Sequence, residues 1–372
     1  MPEARVLHVH SGNMLGGVET LLQTLATHRD LAPELDQHFA LSFEGYVSAA
    51  LAREGVPVWQ LGAVRTSRPW TVRRGRRALR SLIAELEPAV VVCHAPWTQA
   101  IFGPTVRAAG VRLVFWQHGA VNGKHWLERW ARRTRPDLAI ANSEFTAATT
   151  HVLFPDITPL LLHYPVAPRS AARRRTEVRR EVGATPEATV VIQVSRMEPW
   201  KGQQLLIEAL AQLADVPDWE CWQVGGAQRP EEERYLDGLR TLTGRLGVAE
   251  RIRFLGHRSD VPDLLSAADV FSQPNAGPEP FGITFIEALY AGLPVVATRM
   301  GGAEEIVTPS CGVLVSPGDI QGLATVLREL IGEPERRCAL AAAAPARAAA
   351  LCDPATQMAR LQKAIIAAAR AQ

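Results

Sequence analysis

The stretch TVVIQVSRMEPWKGQQLLIEALAQLA, Thr189–Ala214, decides the fold. Its opening, TVVIQVS, is an almost unbroken apolar run, the pattern of a strand covered on both faces. KGQQLLIEALAQLA reads as the helix that follows. Between them lies a sharp turn carrying Arg196, Pro199 and Lys201. Strand, turn and helix in that order make the repeating unit of a doubly wound parallel sheet. This unit restarts a series that the chain has already run through once. Before it come RVLHVH, QHFALSF, AVVVCH, RLVFWQHG, DLAIANS and PLLLHYP, alternating with helical patterns such as GGVETLLQTLATH and VSAALAREG. After it come WECWQVGG, RIRFLGH, ADVFSQP, LPVVAT and CGVLVSP. Two series in 372 residues are more economical as two α/β domains than as one giant sheet, since single cores stop growing near 250–300 residues. The expected domains are residues 1–166 and 167–353. Tyr164 to Ala172, with two prolines and a basic tail, reads as the linker. The Ala-rich segment Pro354–Gln372 reads as a helix expected to pack back on the first domain. Two such domains would face each other across a cleft, with ligands at the carboxyl ends of strands.

Bulk composition narrows the function classes. A net charge of +2 gives no global attraction to nucleic acid. The start MPEARVLHVH lacks a basic head followed by a long apolar segment, so no signal peptide is expected. No stretch approaches the roughly 20 apolar residues of a membrane span. The five cysteines are odd in number and form no C-x-x-C pair, which suits buried free thiols in a reducing compartment. These features read as a cytoplasmic chain.

Four strand-to-helix turns could do chemistry. HSGNMLGGVET places Gly12, Gly16 and Gly17 after the first strand, where glycines let the backbone approach an anion at a helix N-terminus. The spacing is not the dinucleotide G-x-G-x-x-G. Glu44, after the second strand, keeps a dehydrogenase in view, and a plain structural turn is the other reading. In QVSRMEPWKGQQ, Arg196 and Lys201 suit a phosphate, the first bidentate and the second as a point charge. Solvated surface cations are the alternative. GPEPFGITFIEALYAG, Gly277–Gly292, carries Glu279 on a loop and Glu287 inside an apolar helical run. Pro280 suits the first helical position. The amides of Phe281, Gly282 and Ile283 would then be unpaired donors. Glu279 could accept bonds from sugar hydroxyls. Glu287 lies six residues beyond Phe281, roughly 9 Å along a helix axis. A carboxylate between Ile286 and Ala288 lacks an obvious protein partner, and two vicinal ribose hydroxyls would satisfy both its oxygens. Water or an arginine would also do. Finally, FWQHGAVNG puts His118 at a first-domain strand end, in a structural role or in the cleft.

Taken together these turns resemble the retaining glycosyltransferases of family 4, which have the GT-B fold. The likeness covers nearly the whole chain. It includes Gly16-Gly17, QHG around His118, Arg196 with Lys201, FLGHRSDVPDLLSAADVFSQP, and Glu279 to Glu287 with EPFG and EALYAGLPVVAT. The resemblance implies roles. Arg196 and Lys201 would hold the donor diphosphate, with the Gly17 amide assisting. Glu287 would bind ribose. Glu279 would contact the transferred hexose, helped by the amides of Phe281, Gly282 and Ile283. His118 would lie near the reaction centre, and Arg258 in LGHRSD near the base. The donor implied is a UDP-hexose or GDP-mannose, used as co-substrate without a cofactor or metal. No D-x-D run suggests a divalent cation, and no carboxylate pair is placed as in a hydrolase. HYPVAP, His163–Pro168, stands where many relatives carry Asn-Gly-Val-Asp. A nucleotide-sugar epimerase on the same fold and a non-catalytic sugar-nucleotide binding protein are the alternatives.

Acceptor choice is expected in the first domain. Trp97 in HAPWTQ and Trp126 in GKHWLERW follow strand ends and could stack on a sugar, lipid-linked or small-molecule acceptor. Arg73, Arg74, Arg76, Arg77 and Arg80, with Arg129, Arg132, Arg133 and Arg135, form basic faces. They are either solvated or in peripheral contact with anionic lipid heads at the inner membrane face. No nucleic-acid partner is expected.

Overall fold

In the computed structural model, which describes residues 3–12 and 16–371, every strand pairing is parallel. β1 (Ala4–His10), β2 (Leu35–Leu41), β3 (Val58–Gln60), β4 (Val90–His94), β5 (Arg112–Gln117), β6 (Leu138–Ala141) and β7 (Leu160–Leu161) form one sheet. Its strand order is β3-β2-β1-β4-β5-β6-β7. β8 (Thr189–Val194), β9 (Trp219–Val224), β10 (Ile252–Gly256), β11 (Val270–Gln273), β12 (Val295–Thr298) and β13 (Gly312–Val315) form the other, in the order β10-β9-β8-β11-β12-β13. Each order reverses direction once, between β1 and β4 in the first sheet and between β8 and β11 in the second. Loops leaving the carboxyl ends of those neighbouring strands diverge to opposite faces and leave a crevice, which is where such sheets bind ligands. β3 had no counterpart in the sequence reading, because three partly exposed edge residues give too short an apolar run.

The period of two along the strands sorts the first sheet's faces. Leu7, Val9, Val91, Cys93 and Leu113 join one core cluster with Leu79, Leu82 and Ile83 from the helix Pro69–Leu86. Their alternates, Val6, His8 and His10 on β1 and Val90, Val92 and His94 on β4, face the other way. A strand that puts histidines on a fully buried face must give each ring nitrogen an answer, and three of these rings return below.

The chain divides into two compact units, Met1–Val166 with Cys352–Gln372, and Ala167–Leu351. The stretch read as a linker is therefore not one throughout. Tyr164 and Val166 are buried, and the Val166 amide donates to the Cys352 carbonyl at 2.9 Å. The helix Pro354–Arg370 lies on the first unit. Gln362 accepts from the Glu34 amide at 3.1 Å, and Arg360 donates to the Leu161 carbonyl at 2.6 Å.

In the second unit, Arg179 is 4% exposed. Its guanidinium meets Asp269 at 2.6 Å and donates to the carbonyls of Ala267 at 3.0 Å and of Ala188 and Pro186 at 2.8 Å. It ties the helix Arg175–Glu181 to the start of β8. Arg179→Ala is expected to destabilise this unit by about 2–3 kcal/mol, because it leaves three carbonyls without their donor and takes from Asp269 one of its two arginines, Arg175 remaining at 2.6 Å. Urea unfolding checks this, and a loss under 1 kcal/mol would show that the guanidinium is not the tie.

Candidate active site

At the switch point of the second sheet, β8 runs out through Ser195 and Arg196 into one tight turn, Pro199–Lys201. The turn is held from beneath. Met197 is buried, and the buried Gln203 amide donates to the Arg196 carbonyl at 2.8 Å and to Ser195 Oγ at 3.0 Å. Gly202, at φ +75°, then starts the helix Gln203–Ala211. No side chain fits there, since a Cβ would lie 1.9 Å from the Pro274 carbonyl oxygen.

Beside it β11 leaves through Pro274 and Asn275 to Glu279. Lys201 Nζ lies 2.5 Å from Glu279 Oε2 and 4.0 Å from the centre of the Trp200 ring. The same Glu279 oxygen accepts from Asn275 Nδ2 at 3.3 Å and from Gln273 Nε2 at 3.4 Å. The Glu279 main chain is pinned too. Its carbonyl accepts from the Gly302 amide at 2.8 Å, and Gly301, at φ +63°, leaves no room for a Cβ against it. Arg196 pairs with Glu198 at 3.1 Å, and Glu198 also accepts from Trp200 Nε1 at 3.0 Å. The structure thus brings Arg196, Lys201 and Glu279 to one strand-end crevice, each cation beside one carboxylate. Gln203, Glu198, Asn275 and Gln273 were not singled out from the sequence. A polar residue at the end of an otherwise apolar strand, as at Gln273, was the only signal they gave.

The helix after Glu279 begins later than expected. It spans Ile283–Tyr290 with Gly282 as its N-cap at φ +109°, so Pro280 is not its first residue. Proline's preference for that position was outweighed by a glycine that turns the chain two residues on. Glu287 is consequently one turn from the helix start, about 6 Å along the axis. Phe285, Ile286, Ala288 and Leu289 are buried, while Glu287 is half-buried and lines a groove with Arg169, Val261, Pro262, Leu265 and Tyr290. Burial pushes its carboxyl above the usual 4.5, against the pull of the Arg169 charge. Arg258 is committed elsewhere. Its guanidinium donates to both oxygens of Asp260 and to Glu181, each at 2.7 Å.

The raised carboxyl makes Glu287 a stability cost at neutral pH. A carboxyl whose folded pKa exceeds the unfolded one favours the fold while protonated and loses that advantage as pH rises through the window between the two values. Glu287→Gln should therefore raise the melting temperature at pH 7, with the gain vanishing towards pH 4. Differential scanning calorimetry at both pH values tests this. An equal gain at both would mean that ionisation is not the cause.

In the first unit, the glycine turn after β1 is described only in part, since residues 13–15 lie outside the described residues. Gly12 sits at φ +80°, and Gly16 caps the helix Gly17–Thr27 in extended backbone, with Gly17 exposed at its first position. His10 Nε2 lies 2.8 Å from Glu19 Oε1 on that helix. His118 follows β5. Its Nε2 lies 2.9 Å from His94 Nδ1 and its Nδ1 lies 2.6 Å from the Tyr164 hydroxyl, so both ring nitrogens are engaged within the fold. Trp97 packs on the core in edge contact with Phe102, whereas Trp126 is 46% exposed and stacks on Trp130. An open hollow of about 550 Å³ there is lined by Trp126, Trp130, Arg129, Arg132 and Arg133. Among the described residues, no group of three or more His, Cys, Asp or Glu side chains is placed to hold a metal, and no helix is long and apolar enough to cross a membrane.

The chain is similar to known proteins in sequence and fold. Residues 15–163 match the family described as Glycosyltransferase Family 4, and residues 174–347 match Glycosyl transferases group 1. A GDP-mannose-dependent alpha-(1-6)-phosphatidylinositol monomannoside mannosyltransferase of Mycolicibacterium smegmatis is 33% identical over 288 residues, 71% of this chain and 73% of that protein. The monoacylated-substrate counterpart from Corynebacterium glutamicum is 36% identical over 178 residues, 45% of each chain. Among solved structures, Anabaena HepE in complex with UDP is 25% identical with a TM-score of 0.84, covering 98% of this chain and all of that one. With this relative, these family matches and paired α/β sheets of GT-B type, the chain belongs to the group 1 glycosyltransferases of family 4.

Proposed function

We propose that this glycosyltransferase moves a hexose from a nucleotide sugar to a sugar, lipid-linked or small-molecule acceptor, with retention at the anomeric carbon and without a metal. The observation that carries the reading is the Lys201–Glu279 pair at the switch point of the second sheet. One cation there can neutralise a diphosphate while the carboxylate beside it takes sugar hydroxyls. The mannosyltransferase relatives are described as GDP-mannose-dependent and HepE was solved with UDP, so both bases stay in the donor proposal.

In this reading Arg196 and Lys201 hold the diphosphate, with the amide of Gly17 and the glycine turn at Gly16 assisting. Glu279 and the main chain at Phe281, Gly282 and Ile283 serve the hexose. Glu287 takes the ribose, and His118 belongs to the reaction machinery. Arg258 serves the base side through the ion cluster that it anchors. Trp126 and the arginines beside it take the acceptor, and the exposed face of Arg73, Arg74 and Arg77 meets an anionic lipid surface.

Chemically, the bond from the anomeric carbon to the diphosphate oxygen breaks, and that oxygen gains negative charge. Fixed cations stabilise it as it develops. The acceptor hydroxyl attacks on the face that the diphosphate leaves, forming the new glycosidic bond. Its proton passes to the departing phosphate oxygen, so the step balances without a protein base.

Incubation with UDP- and GDP-hexoses, with acceptors free in solution or held in anionic vesicles, tests the whole reading. Transfer should appear for one donor family, give the donor's own anomeric configuration and persist in EDTA. Sugar rearrangement without an acceptor would identify an epimerase, and an inverted product would end the retention claim.

A further inference from the structure

Three buried histidines in the first unit are linked end to end. His8 Nδ1 lies 3.0 Å from His94 Nε2, His94 Nδ1 lies 2.9 Å from His118 Nε2, and His118 Nδ1 lies 2.6 Å from the Tyr164 hydroxyl. Asn142 Nδ2 donates to the same hydroxyl at 3.1 Å and to the His118 carbonyl at 3.3 Å. The His94 and His118 rings are nearly parallel at 7°, and both stack on Trp116. The alternation of β1 and β4 puts His8 and His94 on one face of the sheet, and the register that pairs His94 with Trp116 carries the line to the end of β5.

A neutral imidazole has one N–H and one bare nitrogen. His94 and His118 each use both nitrogens within the line, so neither can change tautomer alone. Only two arrangements satisfy every link. In one, all three rings donate towards Tyr164; in the other, all donate away from it. The backbone is built to hold this. Ala95, directly after His94, sits at φ +70°, a conformation costly for a residue with a Cβ. Thr98 Oγ1 donates back to the His94 carbonyl and, at 3.0 Å, to that of Ala95.

We propose that His8, His94, His118 and Tyr164 form one hydrogen-bonded column with a single shared direction, and that His94 is a positioning residue fixing the tautomer and ring plane of His118. His10, Gln37, His38 and Phe39 face the column. His10 stands edge-on to His94 at 6.2 Å and is held by Glu19. His38 lies 3.1 Å from Asp36, and Phe39 stacks on His8. No carboxylate touches the three linked rings in these contacts, so burial disfavours a second, charging proton on any of them, and His8 is lowered to about 4. His118 then has no ring N–H to offer a ligand. Its contribution is the main chain of Gln117–Gly119, which the column holds in place.

The kinetic consequence rests on the reading of His118 as part of the reaction; the column itself does not. Nitrogen-15 NMR of the full chain with labelled histidine tests the column directly. His8, His94 and His118 should each show one protonated and one bare nitrogen, in the same sense along the line, unchanged from pH 8 to pH 5.5. Titration of any of the three within that range, or opposed directions, would overturn the column. His94→Phe keeps the aromatic stack and removes both links. It should lower kcat roughly 10- to 100-fold while leaving the donor KM within about twofold, and His94→Gln, with one donor and one acceptor, should recover part of the loss. The expected NMR pattern in the unsubstituted chain together with full kcat in His94→Phe would overturn the positioning role alone.

Discussion

Lys201→Ala is expected to lower kcat/KM for the nucleotide sugar by about 10²–10³-fold, the range found when one preorganised donor is removed from a site of developing charge. Two effects act together. In the proposed role the diphosphate loses its point cation, and Glu279 loses the ammonium 2.5 Å away, keeping only the neutral amides of Asn275 and Gln273. Glu279 would then repel the donor that it is meant to help hold. The double variant Lys201→Ala with Glu279→Gln separates the effects, since it should bind donor better than Lys201→Ala alone. Lys201→Arg should rescue poorly. A planar fork suits two oxygens in one plane, whereas this ammonium packs over Trp200 and meets a single carboxylate oxygen. Donor thermal shifts for the four proteins decide it. Unchanged donor binding in Lys201→Ala would remove the diphosphate role.

Gly202→Ala should be among the most damaging single-methyl changes at the described glycines. The new Cβ would meet the Pro274 carbonyl oxygen at 1.9 Å and carbon at 2.6 Å, both backbone atoms, and Gly202 has φ +75°. The left-handed backbone costs an alanine about 1 kcal/mol by itself. The clash forces the ends of β8 and β11 apart, together with the bond from the Ala276 amide to the Trp200 carbonyl at 2.8 Å. The combined loss should be about 3 kcal/mol or more, in the range of mutations that overpack a core. It should carry donor binding with it, because Lys201 and Glu279 sit on the two segments that separate. Gly238→Ala is the matched control. That glycine is exposed within the helix Pro230–Arg245 with nothing near its would-be Cβ, so the change should stabilise by about 0.5–1 kcal/mol. Chemical denaturation of both variants gives the comparison, and similar curves would show that the strand ends yield.

Local physics explains what the residues alone could reveal. Continuous apolar runs such as TVVIQV and AVVVCH are what parallel strands buried on both faces demand, so the fold class was readable, whereas the two switch points depend on a strand order that such runs do not encode. Arg196, Lys201 and Glu279 were readable because strand-end turns are few and charged residues in them stand out. The start of the helix at Ile283 was not, because it hangs on the backbone angle of Gly282, which a neighbouring proline disguises. The histidine line was out of reach for another reason. His8, His94, His118 and Tyr164 come from four separated segments, and only the strand order brings them side by side. His118 alone looked like a strand-end site residue, and its partners looked like ordinary members of apolar strands.

The composition of the first unit also bears on how the protein is born. Its sheet is complete once Leu161 has left the ribosome, yet the helix that covers Glu34 and Leu161, Pro354–Arg370, is encoded only after the whole second unit. Domains ordinarily fold in the order of synthesis. Here the first unit must wait, with apolar surface uncovered, until the second has been made, while the continuous second unit can close on its own. Nascent chains stalled before the helix Pro354–Arg370 are thus a form of this protein in need of a chaperone.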